Sequence, residues 1–121
     1  MTNDYGLVSI ITPTWACAGF IAETIRSIQA QTYTNWELLI QDDCSTDNTR
    51  EVVERFAQGD NRIKYECNDR NSGAAITRNN ALKRAQGRWI AFLDSDDLWL
   101  PEKLQHQLAF MTAHDCAFSY H

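Results

Sequence analysis

The chain has 121 residues, 44% of them hydrophobic and 22% charged, so it is long enough to bury the core of a single domain. Its net charge of −5, with no cluster of Lys and Arg, excludes a typical nucleic-acid-binding surface. No apolar segment could span a bilayer, the amino terminus lacks a signal-peptide pattern, and four dispersed cysteines favour reduced thiols in a cytoplasmic protein.

Strands and helices are predicted to alternate from the start of the chain. Residues 7–12 are an apolar run typical of a buried strand, which Pro13 is expected to stop because proline cannot donate to a strand ladder. Residues 36–41 predict a second buried strand that runs into two carboxylates. Between them, residues 19–31 predict a helix whose apolar face consists of Ile21, Ile25 and Ile28.

The next helix is predicted from a capping motif at its start, and the strand after it from alternating apolar and polar residues. Residues 48–51, Asn-Thr-Arg-Glu, match a capping box that begins a helix, and Gly59 lies close to its end. Residues 62–66 alternate between apolar and polar side chains, which predicts a strand nearer the edge of the sheet. The core side of the helix is expected to comprise Val52, Val53 and Phe56.

A further helix, from Ala74 to Ala85, carries a cation on its apolar stripe. The stripe comprises Ala75, Leu82 and Ala85, and Arg78 falls on the same side. A snorkelling side chain or a structural ion pair would explain Arg78, and so would a cation that points into a ligand site. These residues alone leave both explanations open.

Residues 89–97 join an apolar run, typical of a strand covered on both faces, to a dense acidic cluster. Asp94, Asp96 and Asp97 would repel one another, so folding alone does not explain them. A hard divalent cation would remove the repulsion, and a solvated loop that caps the following helix is the alternative. That helix is predicted over residues 101–112, with an inner face of Leu104, Leu108 and Met111, and a last strand over residues 117–120.

This order of elements implies an α/β fold with a mainly parallel sheet. Ligands of such sheets bind beyond the carboxyl ends of the strands, near the switch in strand order. The segments that follow the predicted strands would therefore share one rim, and they are residues 13–15, 42–43, 68–69 and 94–96. Two acidic clusters that are distant in sequence thereby become neighbours, which favours the metal site over the solvated loop.

Several linked motifs resemble glycosyltransferase family 2. In chain order they are residues 8–14 (VSIITPT), 42–49 (DDCSTDNT), 71–73 (NSG), 78–79 (RN), Gly87 and residues 93–97 (LDSDD). Together they are similar, over nearly the whole chain, to the amino-terminal half of the family's GT-A domain. The resemblance implies a Rossmann-like three-layer α/β/α domain with a mainly parallel sheet, of which residues 1–121 would be a truncated, nucleotide-sugar-binding part.

The resemblance also implies a nucleoside pocket. Pro13 and Trp15 would line it, with the Trp15 ring against the base. Asp43 would accept a hydrogen bond from the base edge. Arg78 would help to hold the nucleotide, or it would brace Asp94.

A metal site is implied beside that pocket. Asp94 and Ser95 would lie near the ribose and the rest of the bound nucleotide-sugar. Asp96, together with Asp94, would bind Mg²⁺ or Mn²⁺ that bridges the diphosphate. The cation would also let a chain of net charge −5 bind a diphosphate.

By the same resemblance, the reaction would transfer a hexose from a nucleotide-diphospho-sugar, expected to be a UDP-sugar, to an acceptor hydroxyl with inversion. The acceptor would be a saccharide or a lipid-linked molecule in cell-envelope polysaccharide biosynthesis, and no nucleic acid is expected as a partner. The general base is unknown and would lie beyond His121, so this part alone is expected to be inactive. Localisation is expected to be cytoplasmic, with peripheral membrane association of the full-length protein left open.

Two positions depart from the family pattern, and two other functions remain as alternatives. Trp15-Ala16 stands where Tyr-Asn is common, and Cys44 stands where glycine is usual. A magnesium-binding, receiver-like signalling domain has a similar length, but it would need an acidic pair after the first strand, where Pro13 and Thr14 stand. A nucleotide-binding fragment without activity is the other alternative.

Overall fold

The structure, a computed structural model, describes residues 5–95 and 97–113. Strands and helices alternate throughout this range, as the sequence predicted. They are β1 (Val8–Thr14), α1 (Ile21–Gln29), β2 (Trp36–Asp42), α2 (Thr49–Gly59), β3 (Ile63–Cys67), α3 (Ala74–Arg84), β4 (Trp89–Phe92) and α4 (Lys103–Ala113). The strand predicted over residues 117–120 lies outside the described residues.

The four strands form a parallel sheet in the order β3-β2-β1-β4. The chain moves outward from β1 to β3 and then returns to place β4 on the other side of β1. The strand order therefore switches at β1, between its neighbours β2 and β4. A crevice for a ligand is expected at this point, beyond the carboxyl ends of the strands.

Helices cover both faces of the sheet. Successive side chains of a strand point to opposite faces, so Val8 and Ile10 pack in one core with α1, α2 and α4, while Ile11 packs in a second core with α3. Leu38 and Leu39 of β2 divide between the two cores in the same way. This arrangement confirms the predicted three-layer α/β/α architecture.

The expectation that Pro13 ends the first strand is wrong. β1 continues through Pro13 to Thr14, opposite Gln41 and Asp42 of β2. The carbonyl of Ile11 accepts a hydrogen bond from the amide of Leu93, so the backbone groups of Ile11 face β4. Backbone orientation repeats every two residues along a strand, so the nitrogen of Pro13 faces β4 as well. β4 pairs with β1 only as far as Ile11, so the missing N–H of Pro13 costs no ladder hydrogen bond.

Helices α1 and α2 lie where they were predicted, with different ends or caps. α1 begins at Ile21, two residues after Gly19, and its predicted apolar face is fully buried. α2 begins at Thr49 and ends at Gly59 as expected, but Asn48 makes no side-chain capping bond. Instead, Oδ1 of Asp47 accepts hydrogen bonds from the backbone amide and the hydroxyl of Thr49.

The predicted apolar stripe of α3 is partly wrong. Ala75 is exposed, and the buried positions are Thr77 and Ala81. Thr77 is tolerated inside because its hydroxyl donates to the carbonyl of Gly73 at 2.7 Å and accepts from Nδ2 of Asn68 at 2.9 Å. Thr77 faces the core, and Arg78, one position further along the helix, is only half-buried.

The last described elements match the predictions in part. Leu104, Leu108 and Met111 are buried as expected, although α4 begins at Lys103 and residues 101–102 form a preceding turn. Residues 90–92 of β4 are half-buried rather than covered on both faces, because β4 pairs only with β1 among the described residues. No helix in the described part of the chain combines the length and apolar character needed to cross a membrane.

Candidate functional site

A cavity of about 410 Å³ opens where β1, β2 and β4 end, at the switch in strand order. Every predicted site residue that the structure describes lines this cavity, and they are Pro13, Trp15, Asp43, Arg78, Asp94 and Ser95. Asp96, the predicted metal ligand, lies outside the described residues. The expected convergence of the strand ends on one rim is therefore found for the described residues, including Asp43 and Asp94.

The turn after β1 is held by the segment that follows β2. The amide of Ala16 donates to Oγ of Ser45 at 2.8 Å, and the amide of Cys17 donates to Oγ1 of Thr49 at 3.1 Å. Ala16 has a φ of +49°, a left-handed conformation that non-glycine residues seldom adopt without such support. The turn presents the Trp15 side chain, which is 59% exposed, at the edge of the cavity.

Asp42 does not line the cavity. It is buried, and its carboxylate accepts hydrogen bonds from the Tyr65 hydroxyl and from the amide and hydroxyl of Ser45. Burial raises the pKa of the Tyr65 phenol, and the bond to Asp42 raises it further, so this proton stays in place. Asp42 therefore braces the turn that Ser45 supports.

Asp43 lies against the start of α3. Its Oδ1 accepts from Nδ2 of Asn68 at 3.0 Å and from the amide of Ser72 at 2.7 Å, and its Oδ2 accepts from the amide of Gly73 at 2.9 Å. Burial acts to raise the pKa of Asp43, but these hydrogen bonds outweigh it and hold the pKa below its ordinary value. The result is a fixed, ionised carboxylate at the cavity wall.

Arg78 is the cation that lines the cavity. Its guanidinium lies 5.9 Å from the centre of the Phe92 ring, a cation–π contact across the end of β4. No ion pair is found for Arg78 within the described residues, so neither a structural ion pair nor a direct brace on Asp94 explains its position there. Over the part of the chain that the structure describes, its guanidinium N–H groups therefore have no carboxylate partner.

The end of β4 contributes Asp94 and Ser95. The backbone carbonyl of Ser95 accepts from Oγ1 of Thr24 at 2.8 Å, which ties this loop to α1. Asp94 is exposed at the cavity, and carboxylate oxygen is the ligand that Mg²⁺ and Mn²⁺ prefer. The described residues contain no group of three or more His, Cys, Asp or Glu side chains that could hold a metal, so the donor set would depend on Asp96.

The sequence prediction missed several residues that line the cavity, namely Ala16, Cys17, Phe20, Ala74 and Thr77. Phe20 is 60% exposed immediately before α1. A signal for it was present, because Phe20 is out of phase with the isoleucine face of that helix. Thr77 carried no such signal, since its inward orientation depends on its bond to Asn68.

Comparison with known proteins decides the family. The sequence model of glycosyl transferase family 2 matches residues 9–120. The chain belongs to glycosyl transferase family 2. The receiver-like alternative is therefore set aside, which agrees with the absence of an acidic pair where β1 ends in Pro13 and Thr14.

Two curated relatives match almost the whole of this family 2 chain. One relative is the UDP-Glc:α-D-GlcNAc-diphosphoundecaprenol β-1,3-glucosyltransferase WfgD of Escherichia coli. The two sequences are 50% identical over 118 residues, and the aligned region covers 98% of the chain and 46% of WfgD. The other is TuaG of Bacillus subtilis (strain 168), provisionally named a teichuronic acid biosynthesis glycosyltransferase. Here the identity is 49% over 120 residues, and the aligned region covers 99% of the chain and 48% of TuaG. The family 2 chain thus spans about half the length of these relatives.

Solved structures confirm the GT-A fold of this family 2 chain. Staphylococcus aureus TarS 1–349 in complex with UDP-GlcNAc superposes with a TM-score of 0.84 and 35% identity, over 89% of the chain and 32% of TarS. The mannosyltransferase PcManGT of Pyrobaculum calidifontis, in complex with GDP-Man and Mn²⁺, gives 0.82 and 28%, over 88% of the chain and 32% of that protein.

Proposed function

We propose that residues 1–121 form the amino-terminal, nucleotide-sugar-binding part of an inverting GT-A glycosyltransferase. The whole protein transfers a hexose from a UDP-sugar to an acceptor hydroxyl in cell-envelope polysaccharide biosynthesis. The observation that carries the proposal is the cavity at the strand switch, which gathers Trp15, Asp43, Arg78 and Asp94. A volume of about 410 Å³ lies within the range of small-molecule sites.

Recognition of the nucleoside falls to the walls formed by β1 and β2. The exposed ring of Trp15 offers a face for the base, and Pro13 adds an apolar contact in the same cavity. Oδ2 of Asp43 accepts one hydrogen bond from the described residues, that of Gly73, and so it has room for an N–H of the base edge. Because the Asp43 carboxylate is already held in place, little order is lost when the base binds.

The diphosphate lies toward α3 and the end of β4 in this proposal. Arg78 would supply a positive charge there, and Asp94 with Asp96 would hold Mg²⁺ or Mn²⁺. Bound there, the metal ion would neutralise the charge of the diphosphate leaving group. PcManGT, observed with GDP-Man and Mn²⁺, supports the expectation of a divalent metal.

The residues of this chain hold and orient the donor. The acceptor oxygen forms a bond to the anomeric carbon as the bond from that carbon to the diphosphate breaks on the opposite face, which inverts the configuration. A carboxylate base beyond His121 takes the proton of the acceptor hydroxyl. The relative WfgD, named for a UDP-Glc donor and a diphosphoundecaprenol acceptor, supports a lipid-linked acceptor. Peripheral association with the cytoplasmic side of the membrane is part of the same proposal.

Calorimetric titration with UDP tests the donor site. We expect binding in the presence of Mn²⁺ that weakens when the metal is chelated, and weaker binding of GDP than of UDP. Asp96→Asn should abolish the metal-dependent part of the affinity. Asp97→Asn is the matched control, because Asp97 is an exposed neighbouring carboxylate that does not line the cavity.

Two results would contradict the proposal. One is unchanged metal-dependent binding in Asp96→Asn, and the other is an equal loss in Asp97→Asn, which would indicate a diffuse effect of negative charge.

A further inference from the structure

Two thiols lie side by side at the carboxyl ends of β2 and β3. The Sγ atoms of Cys44 and Cys67 are 3.9 Å apart, with Cys67 exposed and Cys44 half-buried. Cys67 pairs in register with Asp42, and Cys44 follows two residues later with a φ of +64°. A disulfide bond is about 2.05 Å long, so the two sulfur atoms must approach by roughly 2 Å to form one.

We propose that Cys44 and Cys67 are a modification site, a thiol pair that a low-molecular-weight disulfide such as oxidised glutathione converts into an intramolecular disulfide that displaces Asp43. Cys67 reacts first because it is exposed. The pKa of the Cys44 thiol is raised, by partial burial first and by the adjacent Cys67 next, so Cys44 takes the second step.

The disulfide forms in two thiol–disulfide exchange steps. The Cys67 thiolate attacks one sulfur of the small disulfide, forms a mixed disulfide and releases one small thiol. The Cys44 thiolate then attacks Sγ of Cys67 and releases the second small thiol. The protein loses two protons and two electrons, and the small disulfide is reduced to two thiols.

The Cys44–Cys67 disulfide affects Asp43 because each cysteine is adjacent in sequence to one partner of the Asp43–Asn68 hydrogen bond. Cys44 follows Asp43 directly, and its thiol donates to the backbone carbonyl of Asn68 at 3.1 Å. Asn68 follows Cys67 directly, and its Nδ2 donates to Oδ1 of Asp43 at 3.0 Å. The disulfide removes the Cys44 S–H proton and with it the first hydrogen bond. Drawing the sulfur atoms together by roughly 2 Å also pulls on the backbone of Cys44 and Cys67, and their neighbours Asp43 and Asn68 form the second hydrogen bond.

Peptide mapping by mass spectrometry tests the disulfide. The purified protein is incubated with oxidised glutathione, and we expect a Cys44–Cys67 cross-link within one chain. Cys67→Ser should lose the cross-link. Cys44→Gly, whose glycine suits the positive φ of that position, should stop at the mixed disulfide on Cys67. A mixed disulfide that persists in the wild-type protein, or a cross-link between two chains, would overturn the proposal.

Amide hydrogen exchange tests the displacement without any nucleotide. The amides of Ser72 and Gly73 donate to Asp43, so their exchange should accelerate severalfold in the oxidised protein and recover after reduction. Unchanged exchange would refute the displacement.

The effect on the donor rests on the proposed function and is measured separately. Oxidation should weaken UDP binding severalfold in the wild-type protein, whereas Cys44→Gly should bind UDP equally before and after treatment. If the reduced protein fails to bind UDP, the proposed function is refuted, and the cross-link and exchange results still decide the thiol pair. Equal UDP affinity in the reduced and oxidised wild-type protein would refute the coupling between the two.

Discussion

At the scale of single residues, two consecutive carboxylates after β2 have opposite surroundings. The Asp42 carboxylate points to the face covered by α2, where Tyr65 and Ser45 donate to it. The carboxylate of Asp43 points to the face covered by α3, where the amides of Gly73 and Ser72 hold it at the cavity. The alternation of side chains along a strand explains the difference, so a change at each position has a different expected effect.

Replacing Arg78 distinguishes a role in UDP binding from a role in folding stability. In Arg78→Met the charge is lost while an apolar side chain remains over Phe92. A charge-assisted hydrogen bond contributes about 1.5 kcal/mol, so we expect UDP to bind about tenfold more weakly, with little change in melting temperature. Calorimetric titration and thermal denaturation of the same preparation measure both quantities.

The matched control for Arg78→Met is Arg55→Met. Arg55 is an exposed arginine of α2 that does not line the cavity, so its replacement should leave the UDP affinity unchanged. A fall in melting temperature with retained affinity in Arg78→Met would assign Arg78 a structural role instead.

At the scale of elements, the sequence predicted which segments form strands and helices because the apolar periods are strong. The isoleucine face of α1 and the apolar run of β2 identified their elements directly. The effect of Pro13 was predicted wrongly because a missing backbone N–H matters only where the adjacent strand offers an acceptor. Whether it does depends on the pairing of the strands, which the sequence does not give. Thr77 was missed because a polar residue becomes a core residue only when a distant partner, here Asn68, satisfies it.

The candidate site could be predicted to a similar extent. The cavity residues that follow strands, such as Asp43 and Asp94, were found because the ends of parallel strands always share one edge. Ala74 and Thr77 of α3 were not found, although Arg78 of the same helix was. Their contribution depends on how each helix is rotated against the sheet, which a single sequence does not specify.

Gly87 tests the contact between β1 and the segment that leads into β4. A Cβ at Gly87 would lie 2.6 Å from both the backbone nitrogen and Oγ of Ser9, and 2.8 Å from the carbonyl oxygen of Leu7. Backbone atoms inside a central strand cannot move aside cheaply. We therefore expect Gly87→Ala to lower the free energy of unfolding by about 1–3 kcal/mol, measured by urea denaturation.

Gly59→Ala is the control for that substitution. Gly59 is the last residue of α2, and nothing lies within 4 Å of a Cβ built there. Alanine is the better helix former, so this variant should be neutral or more stable by up to about 1 kcal/mol. Equal stability of Gly87→Ala and the wild-type protein would mean that β1 and the segment before β4 pack less closely than the structure indicates.

At the scale of the whole molecule, one ion pair joins the face covered by α1 and α2 to the sheet. Arg62 donates to both carboxylate oxygens of Asp60, at 2.9 and 2.8 Å, and its guanidinium lies 3.8 Å from the centre of the buried Trp36 ring. The same guanidinium donates to the carbonyl of Thr34 before β2, and Gln29 of α1 donates to Asp60. The pair therefore links α1, the end of α2 and the start of β2.

The pH dependence of stability follows from this pair. Hydrogen bonds from Arg62 lower the pKa of Asp60 to about 2, although partial burial opposes them. The folded pKa lies below the ordinary value, so the stabilisation is complete above about pH 4 and is lost as the pH falls from about 4 to about 2. Since the Arg62 side chain is 34% exposed and water screens the pair, we expect a contribution of about 1 kcal/mol.

Chemical denaturation between pH 7 and pH 2 measures this contribution. Asp60→Asn should be about 1 kcal/mol less stable than the wild-type protein at pH 7, and the two should converge near pH 2, because protonation removes the same charge that the substitution removes. Asp69→Asn is the control, since Asp69 is exposed and forms no ion pair within the described residues, and its stability should follow the wild-type protein at every pH. A constant difference between Asp60→Asn and the wild-type protein down to pH 2 would show that the carboxylate charge is not what joins these elements.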